Sequence, residues 1–188
     1  MHNFLHGVPW IHLGPAALAV LVAFLCLHSR NIYLKGLLGA LWLLLLPNTI
    51  YVLTDFEHLS HEIGSGDLGR QSLLIGQYIL LEAIGLLAYL FAMLPLEQFV
   101  RDHHLTGRQQ IMGIVALNFL VACGMALGKI GQVNSYVVFT HPWAVLLSMG
   151  QILTTVRLLM LVIFFALVND VVYLSCRRPW LSKANKFL

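Results

Sequence analysis

Five polar side chains recur at helical spacing where a long apolar run is interrupted by a proline. They are Asn48, Tyr51, Asp55, His58 and Glu62, at positions i, i+3, i+7, i+10 and i+14. If the helix that begins at Gly36 continues through this stretch, all five share one face. Polar groups on an apolar helix need partners, so the stripe points either to a binding site or to hydrogen bonds between helices.

Histidine and carboxylate groups in this stretch are ligand types that suit a divalent metal ion such as zinc. Asp55 and His58 stand three residues apart, close enough on a helix to share one ion, and His141 from a later connector is a third candidate ligand. No HExxH or other strong metalloenzyme signature is present. Hydrated polar residues at a membrane interface, or hydrogen bonds that tie helices together, would give the same pattern, so both interpretations stay open.

The composition identifies the class of protein. Apolar residues make up 59% of the 188 residues, charged residues only 10%, and the mean hydropathy is +0.82. Soluble domains carry roughly 25% charged residues, and a helix needs about 20 apolar residues to cross a bilayer. We predict an all-α, polytopic transmembrane helix bundle in a single domain, with about five spans at 11–28, 36–53, 72–94, 109–127 and 143–168. The net charge of +3, without a basic cluster, gives no indication of nucleic-acid binding.

Positively charged residues alternate between the connectors. Arg30 and Lys35 stand in the first connector, Arg101 and Arg108 in the third, and several more in the C-terminal tail. Lys and Arg in short loops favour the cytoplasmic side, so we predict the N-terminus outside and the C-terminus in the cytoplasm. The second and fourth connectors then meet at the extracytoplasmic face, where the candidate binding residues are Asn48, Tyr51, Asp55, His58, Asn134, Ser135 and His141.

Two ionisable residues stand deep inside predicted spans. Glu82 lies about 15 Å along the third span and Arg157 about 21 Å along the fifth, at roughly 1.5 Å per residue. Charged groups at such depth face the bundle interior or a water-filled cavity and pair with one another. We expect an ion pair between Glu82 and Arg157 that holds two helices together. A proton or ion relay, or a neutral Glu82 that is hydrogen-bonded elsewhere, are the alternatives.

Motifs of established enzymes are absent from the chain. It contains no nucleophile elbow, P-loop or dinucleotide fingerprint. Cys26, Cys123 and Cys176 are widely separated and lack CxxC spacing, so we expect neither a disulfide nor a thiolate metal site. Catalytic residues are therefore unassigned, and the balance favours a protein that is not an enzyme.

Two stretches of the chain have a distinctive order of polar residues. Residues 46–59 read LPNTIYVLTDFEHL, which resembles the signature PNAPY-(I/V)-x-TD-x-x-HL of DUF1361, a bacterial membrane-protein family of unknown function. The second stretch resembles the second motif of the same family. Gly128-Lys129, Asn134 to Val137 and Thr140 to Pro142 resemble GR-x-x-R-(W/x)-NSWD-x-x-TNP, in the same order along the chain. The positions that carry the resemblance are Pro47, Asn48, Tyr51, Thr54, Asp55, His58, Gly128, Asn134, Ser135, Thr140 and Pro142.

The departures from the family pattern affect the chemistry. Lys129, Tyr136 and Val137 stand where the family has Arg, Trp and Asp, and His141 replaces an Asn. Losing the carboxylate at Val137 weakens a mechanism based on paired acids, whereas His141 could replace a ligand or a hydrogen-bond donor. The resemblance implies an architecture and does not imply an activity.

We therefore expect a multi-pass protein of the bacterial inner membrane whose extracytoplasmic polar site is centred on Asp55 and His58. Its expected role is to bind a small ligand or ion, in transport or as an accessory subunit. The main alternative is a metal-dependent membrane hydrolase or transferase that acts on lipid or envelope substrates. A third class is a structural component of a larger complex. The expected partners are the lipid bilayer and either another membrane protein or a second copy of the chain.

Overall fold

The computed structural model describes residues 13–50, 68–129 and 137–184, and every regular element in these segments is an α-helix. In chain order the helices are α1 (Leu13–His28), α2 (Ile32–Leu45), α3 (Pro47–Ile50), α4 (Leu68–Ala92), α5 (Leu94–Asp102), α6 (Gly107–Lys129), α7 (Val137–Thr140), α8 (Pro142–Thr154) and α9 (Val156–Ala184). The predicted all-α class is confirmed.

In the described part of the chain, four helical stretches are long and apolar enough to cross a membrane. They are Ile32–Ile50, Gln71–Asp102, Gly107–Gly128 and Val156–Arg177, and two shorter apolar helices are Leu13–His28 and Pro142–Thr154. Large apolar side chains such as Leu21, Ile79 and Phe164 are exposed on the outside of the bundle. An outer surface of this kind suits lipid, so the polytopic membrane class is confirmed as well.

A proline interrupts the second of these long stretches between α4 and α5. Pro95 has no backbone N–H, and the amides of Leu96 and Glu97 both donate to the carbonyl of Met93, at 3.1 and 3.3 Å. The regular helical bond from Leu96 to Ala92 is therefore missing. The indole Nε1 of Trp42 on α2 donates to the Ala92 carbonyl instead, at 2.6 Å.

The segment predicted as a fifth span contains two helices. α8 ends at Thr154, α9 begins at Val156, and Thr155 between them is extended with φ −88° and ψ 110°. Helix α9 extends from Val156 to Ala184, so Asp170 and Arg177 lie within it. The predicted span, by contrast, ends at residue 168 and leaves both residues outside.

Helices α6 and α9 pack against each other in antiparallel directions. Gln110 near the start of α6 contacts Arg177 late in α9, and Asn118 contacts Asp170 about two turns further in. Small side chains of α6 allow this close packing. They form an apolar cluster with Ile152 of α8 and two residues of α9, which comprises Ala122, Cys123, Ala126, Ile152, Val162 and Ala166.

One end of the bundle carries a concentration of basic residues. The α1–α2 connector, the α5–α6 connector and the Arg177 region of α9 all lie there, since Cys26 and Lys35 line a cavity with α5 residues and Arg177 bonds to both α5 and α6. We call this the basic end. Its charged and histidine residues are His28, Arg30, Lys35, Arg101, Asp102, His103, His104, Arg108 and Arg177.

Candidate functional site

Three buried polar side chains meet between α4, α6 and α9, and we call them the Asp170 cluster. The amide Nδ2 of Asn118 donates to Oδ1 of Asp170 at 2.7 Å. The hydroxyl of Tyr89 donates to Oδ1 of Asn118 at 2.5 Å. Tyr89 and Asn118 are fully buried, and Asp170 is 8% exposed. Asn118 thus bridges a phenol on one helix and a carboxylate on another.

A second group, the Glu97 cluster, lies toward the basic end. Arg177 donates from Nε to Oε1 of Glu97 at 2.7 Å and from Nη2 to Oε2 at 3.0 Å. This two-bond geometry is the strong form of an Arg–carboxylate pair. The hydroxyl of Tyr173 donates to the same carboxylate at 2.5 Å, and Oε1 of Gln110 accepts from Arg177 at 2.9 Å. Both charges of the pair are therefore neutralised and hydrogen-bonded.

The two clusters adjoin through the rings of Tyr89 and Tyr173. The ring centroids are 5.9 Å apart, and the planes meet at 74° in an edge-to-face contact. Asn118 stands near the middle of the apolar stretch Gly107–Gly128, about 12 Å along the helix from Gln110. Polar side chains therefore form an almost continuous series from the basic end to the middle of the membrane-spanning region.

The two carboxylates differ in how their charge is compensated. Glu97 is paired with Arg177, whereas Asp170 forms no ion pair with any described side chain and has the Asn118 amide as its hydrogen-bond donor. Asn169, the next residue on α9, is 1% exposed, and its amide contacts the sulfur of Met125 at 4.0 Å. Apolar side chains surround the cluster, so an ionised Asp170 would be a buried charge without a counter-charge in the described part of the chain.

Two of the predicted binding residues lie in described segments. Asn48 is half-buried in α3, and its Nδ2 donates to the Leu45 carbonyl at 3.1 Å. His141 is exposed between α7 and α8, with Nδ1 3.1 Å from the hydroxyl of Thr140. No hydrogen bond between Asn48 and His141 is seen. Asn48 thus binds a carbonyl at the Pro47 helix break.

The other predicted binding residues, Tyr51, Asp55, His58, Asn134 and Ser135, lie outside the described residues. This holds also for two of the three proposed metal ligands, Asp55 and His58. Within the described segments, no group of three or more His, Cys, Asp or Glu side chains is placed to hold a metal ion. The metal site and the extracytoplasmic binding site therefore stay predictions.

Glu82 and Arg157 are both described, and the structure places them in different surroundings. Glu82 is 9% exposed on α4. Arg157 is exposed in the first turn of α9, because the helix break at Thr155 makes it the second residue of a new helix. Between these two residues themselves, the structure shows no ion pair. The predicted pair therefore has no support from the geometry and stays a prediction.

None of the residues of the Asp170 and Glu97 clusters is among the site residues predicted from the sequence. Asp170 and Arg177 fall beyond the predicted fifth span, and Glu97 and Gln110 stand near predicted span ends. A usable signal was nevertheless present at Asn118, which is a lone strongly polar residue in the middle of an apolar helix. Such an amide needs a partner on another helix. The nearest acidic candidate at matching depth is Asp170, provided that α9 begins at Val156.

Comparison with known proteins supports the resemblance seen in the sequence motifs. Residues 11–171 match the family model described as "Protein of unknown function (DUF1361)". The matched region covers most of the chain and includes Tyr89, Asn118 and Asp170. No curated protein and no solved structure matches the chain significantly.

Proposed function

The chain belongs to the DUF1361 family, and we propose that it is a bacterial inner-membrane protein that binds a proton or a small monovalent cation at Asp170. One observation carries this proposal. Asp170 is a buried carboxylate near the middle of the bundle that has a neutral hydrogen-bond donor, Asn118, and no ion-pair partner among the described side chains.

The physical argument rests on the cost of a buried charge. An ionised carboxylate at the centre of a membrane helix is unfavourable by about 3 kcal/mol or more. Glu97 avoids this cost through its two bonds to Arg177. Asp170 has no such partner among the described side chains, and we infer that a bound proton or cation compensates its charge. A carboxyl group that gains and loses its counter-charge inside a membrane is the basic element of proton and ion transport.

The surroundings of Asp170 suggest a path toward the basic end. Tyr89, Tyr173 and Gln110 carry hydroxyl or amide groups at successive levels between Asp170 and that end. By the distribution of Lys and Arg, the basic end would face the cytoplasm. The predicted polar site with Asp55 and His58 would then form the extracytoplasmic entrance, and the role would be ion binding within a transporter or an accessory subunit.

Modification with a hydrophobic carbodiimide tests the proposal directly. Such reagents attack protonated carboxyl groups in apolar surroundings. We expect labelling of Asp170 in the purified full-length protein, identified by mass spectrometry of the modified peptide, and loss of the label in Asp170→Asn. Labelling that decreases in sodium, potassium or lithium chloride would identify a cation that competes with the proton.

Glu97 is an internal control for the same experiment. It is buried to a similar degree as Asp170, but both of its oxygens are bonded to Arg177, so we expect it to stay unlabelled. Labelling of Glu97 while Asp170 stays unmodified would contradict the proposal. So would an absence of labelling at Asp170 over the whole pH range in which the protein remains folded.

Transport is tested separately in proteoliposomes that carry a pH-sensitive dye in their lumen. We expect wild-type vesicles to dissipate an imposed pH gradient faster than vesicles with Asp170→Asn. Equal rates for the two proteins would exclude proton transport through Asp170. The protein would then bind an ion only as an accessory subunit.

A metal-dependent hydrolase or transferase remains the alternative function that the sequence predicts. It rests on Asp55, His58 and His141, and the first two lie outside the described residues. Metal analysis of the purified protein, with and without His58→Ala, tests it. A stoichiometric metal that is lost in this variant would favour the enzyme.

A further inference from the structure

A cavity of about 460 Å³ lies at the basic end between α1, α2 and α5, away from the Asp170 and Glu97 clusters. Its walls are mostly apolar, with Trp42, Leu43 and Leu96 among the lining residues. The size falls within the range of small-molecule sites, roughly 300–1,000 Å³. Trp42 is held in place by its bond to the Ala92 carbonyl, so this wall is fixed in position.

The depth of the cavity matches one leaflet of a bilayer. Lining residues on α2 extend from Ile32, at the start of the helix, to Leu43, which is about 16 Å along the axis. Half of a hydrocarbon core of about 30 Å is about 15 Å. The cavity thus begins at the membrane interface and reaches as deep as an acyl chain of the same leaflet.

Two opposite charges line the cavity near its interfacial end. Lys35 is half-buried in the first turns of α2, and Asp102 is the last residue of α5. Neither side chain forms an ion pair with a described residue, although both line the same cavity. An ammonium and a carboxylate at one rim are complementary to a ligand that carries both a negative and a positive group.

We propose that this cavity binds one zwitterionic phospholipid of the phosphatidylethanolamine class, with its phosphate at Lys35, its primary ammonium at Asp102 and an acyl chain against Trp42 and Leu43. The ammonium of this headgroup donates hydrogen bonds to a carboxylate, which the quaternary ammonium of phosphatidylcholine cannot do. A headgroup with only a negative charge would leave Asp102 uncompensated beside the phosphate.

Native mass spectrometry of the full-length protein tests the proposal. The protein is equilibrated with equimolar phosphatidylethanolamine, phosphatidylglycerol and phosphatidylcholine in mixed micelles. We expect one retained phospholipid per chain, with phosphatidylethanolamine preferred over both others. A wild-type protein that retains no phospholipid, or that prefers phosphatidylglycerol, would overturn the proposal.

Two glycines of α2 provide a matched pair of variants. Gly39 lines the cavity, whereas Gly36 is not among the lining residues. A Cβ at either position meets no atom within 4 Å, so the backbone at both positions has room for the start of a side chain. We expect Gly39→Leu to fill the cavity and abolish lipid retention, and Gly36→Leu to retain the wild-type amount. Equal retention by the two variants would contradict a lipid in this cavity.

The charged residues determine the preference between headgroups. We expect Lys35→Gln to lower phosphatidylethanolamine affinity by about tenfold, which corresponds to one charge-assisted hydrogen bond. Asp102→Asn should remove the preference for phosphatidylethanolamine over phosphatidylglycerol. Arg30 is exposed and lies outside the cavity lining. Arg30→Gln should therefore change neither the affinity for phosphatidylethanolamine nor the preference between headgroups. An unchanged preference in Asp102→Asn would refute the assigned headgroup.

Water-soluble phosphoethanolamine distinguishes a lipid from a free headgroup ligand. It carries both charges and has no acyl chain. We expect it not to displace the retained phospholipid at millimolar concentration, because the apolar walls contribute most of the contact. Displacement at millimolar concentration would overturn the assignment to a membrane lipid.

Discussion

Gly124 of α6 lies directly against the ring of Pro47 in α3. A Cβ added at residue 124 would lie 2.5 Å from Cγ and 3.0 Å from Cβ of that proline. Pro47, which interrupts the apolar stretch Ile32–Ile50, is therefore packed onto a residue 77 positions later in the chain, and a hydrogen atom in place of a side chain is required at the contact.

We expect Gly124→Ala to destabilise the protein by about 1–3 kcal/mol, the usual range for overpacking. The clash is with a rigid ring, so α3 or α6 must shift. Unfolding by SDS titration, followed by circular dichroism, measures the change. Gly113→Ala on the same helix is the control, because a Cβ there meets no atom within 4 Å, and we expect it to be neutral or stabilising by about 0.5 kcal/mol.

A rescue variant makes this prediction specific. Pro47→Ala removes the ring carbon that lies closest to residue 124, so the double variant Pro47→Ala/Gly124→Ala should lose less stability than the sum of the two single variants. Strict additivity would show that the contact does not determine the cost at Gly124.

The ion pair between Glu97 and Arg177 should be the most sensitive polar contact at the basic end. We expect Arg177→Gln to destabilise the protein by about 3 kcal/mol, because it leaves the buried Glu97 carboxylate without its counter-charge. Glu97→Gln/Arg177→Gln should recover part of this loss, since no charge is then stranded. The free energy of unfolding of the three variants measures the coupling.

Arg108→Gln is the matched control for this pair. Arg108 is exposed at the same end of the bundle, so its removal should change stability by less than about 0.5 kcal/mol. If Arg108→Gln and Arg177→Gln had equal effects, the loss would reflect the net charge of the basic end and not the specific pair.

The hydroxyl of Tyr89 has one structural role in the Asp170 cluster, which is to donate to Asn118. We expect Tyr89→Phe to destabilise the protein by about 1 kcal/mol, because the buried carbonyl of Asn118 loses its donor. Tyr33→Phe is the control, since Tyr33 is 86% exposed and should tolerate the change. A neutral Tyr89→Phe would indicate that water or another group replaces the hydroxyl.

The sequence predicts the all-α membrane class because apolar runs long enough to cross a bilayer are a local property. It does not predict the Asp170 cluster, because Asn118 and Asp170 are 52 positions apart and their meeting depends on how α9 is placed. That placement depends on the helix break at Thr155, which carries no proline or glycine to mark it. If the last span is taken to start at Trp143, it is predicted to end at residue 168, and Asp170 then lies outside the predicted span.

The same helix break explains why the expected Glu82–Arg157 pair gains no support. A depth of about 21 Å for Arg157 assumes one uninterrupted helix from Trp143, at about 1.5 Å per residue. In the structure Arg157 is in the first turn of α9 and exposed. The arginine that pairs with a buried carboxylate in the described bundle is Arg177, which is itself half-buried. Its partner Glu97 lies two residues after Pro95, which the sequence alone suggests as the end of a span.

The bond from Trp42 to the Ala92 carbonyl should contribute to stability because of Pro95. In a regular helix the amide of Leu96 would donate to this carbonyl, but at the α4–α5 break it donates to Met93 instead. In an apolar membrane interior the carbonyl then depends on the indole. We expect Trp42→Phe to destabilise the protein by about 1–3 kcal/mol, which is the cost of an unsatisfied buried acceptor plus a smaller ring.

Trp143→Phe is the control, since Trp143 is 70% exposed and forms no described hydrogen bond. The decisive comparison is made in a Pro95→Ala background, where the helix can regain its regular amide bonds and α4 and α5 can join. Trp42→Phe should cost less there, by about 1 kcal/mol. An identical cost in both backgrounds would mean that the indole contributes through packing alone and that the proline does not create its hydrogen-bonding role.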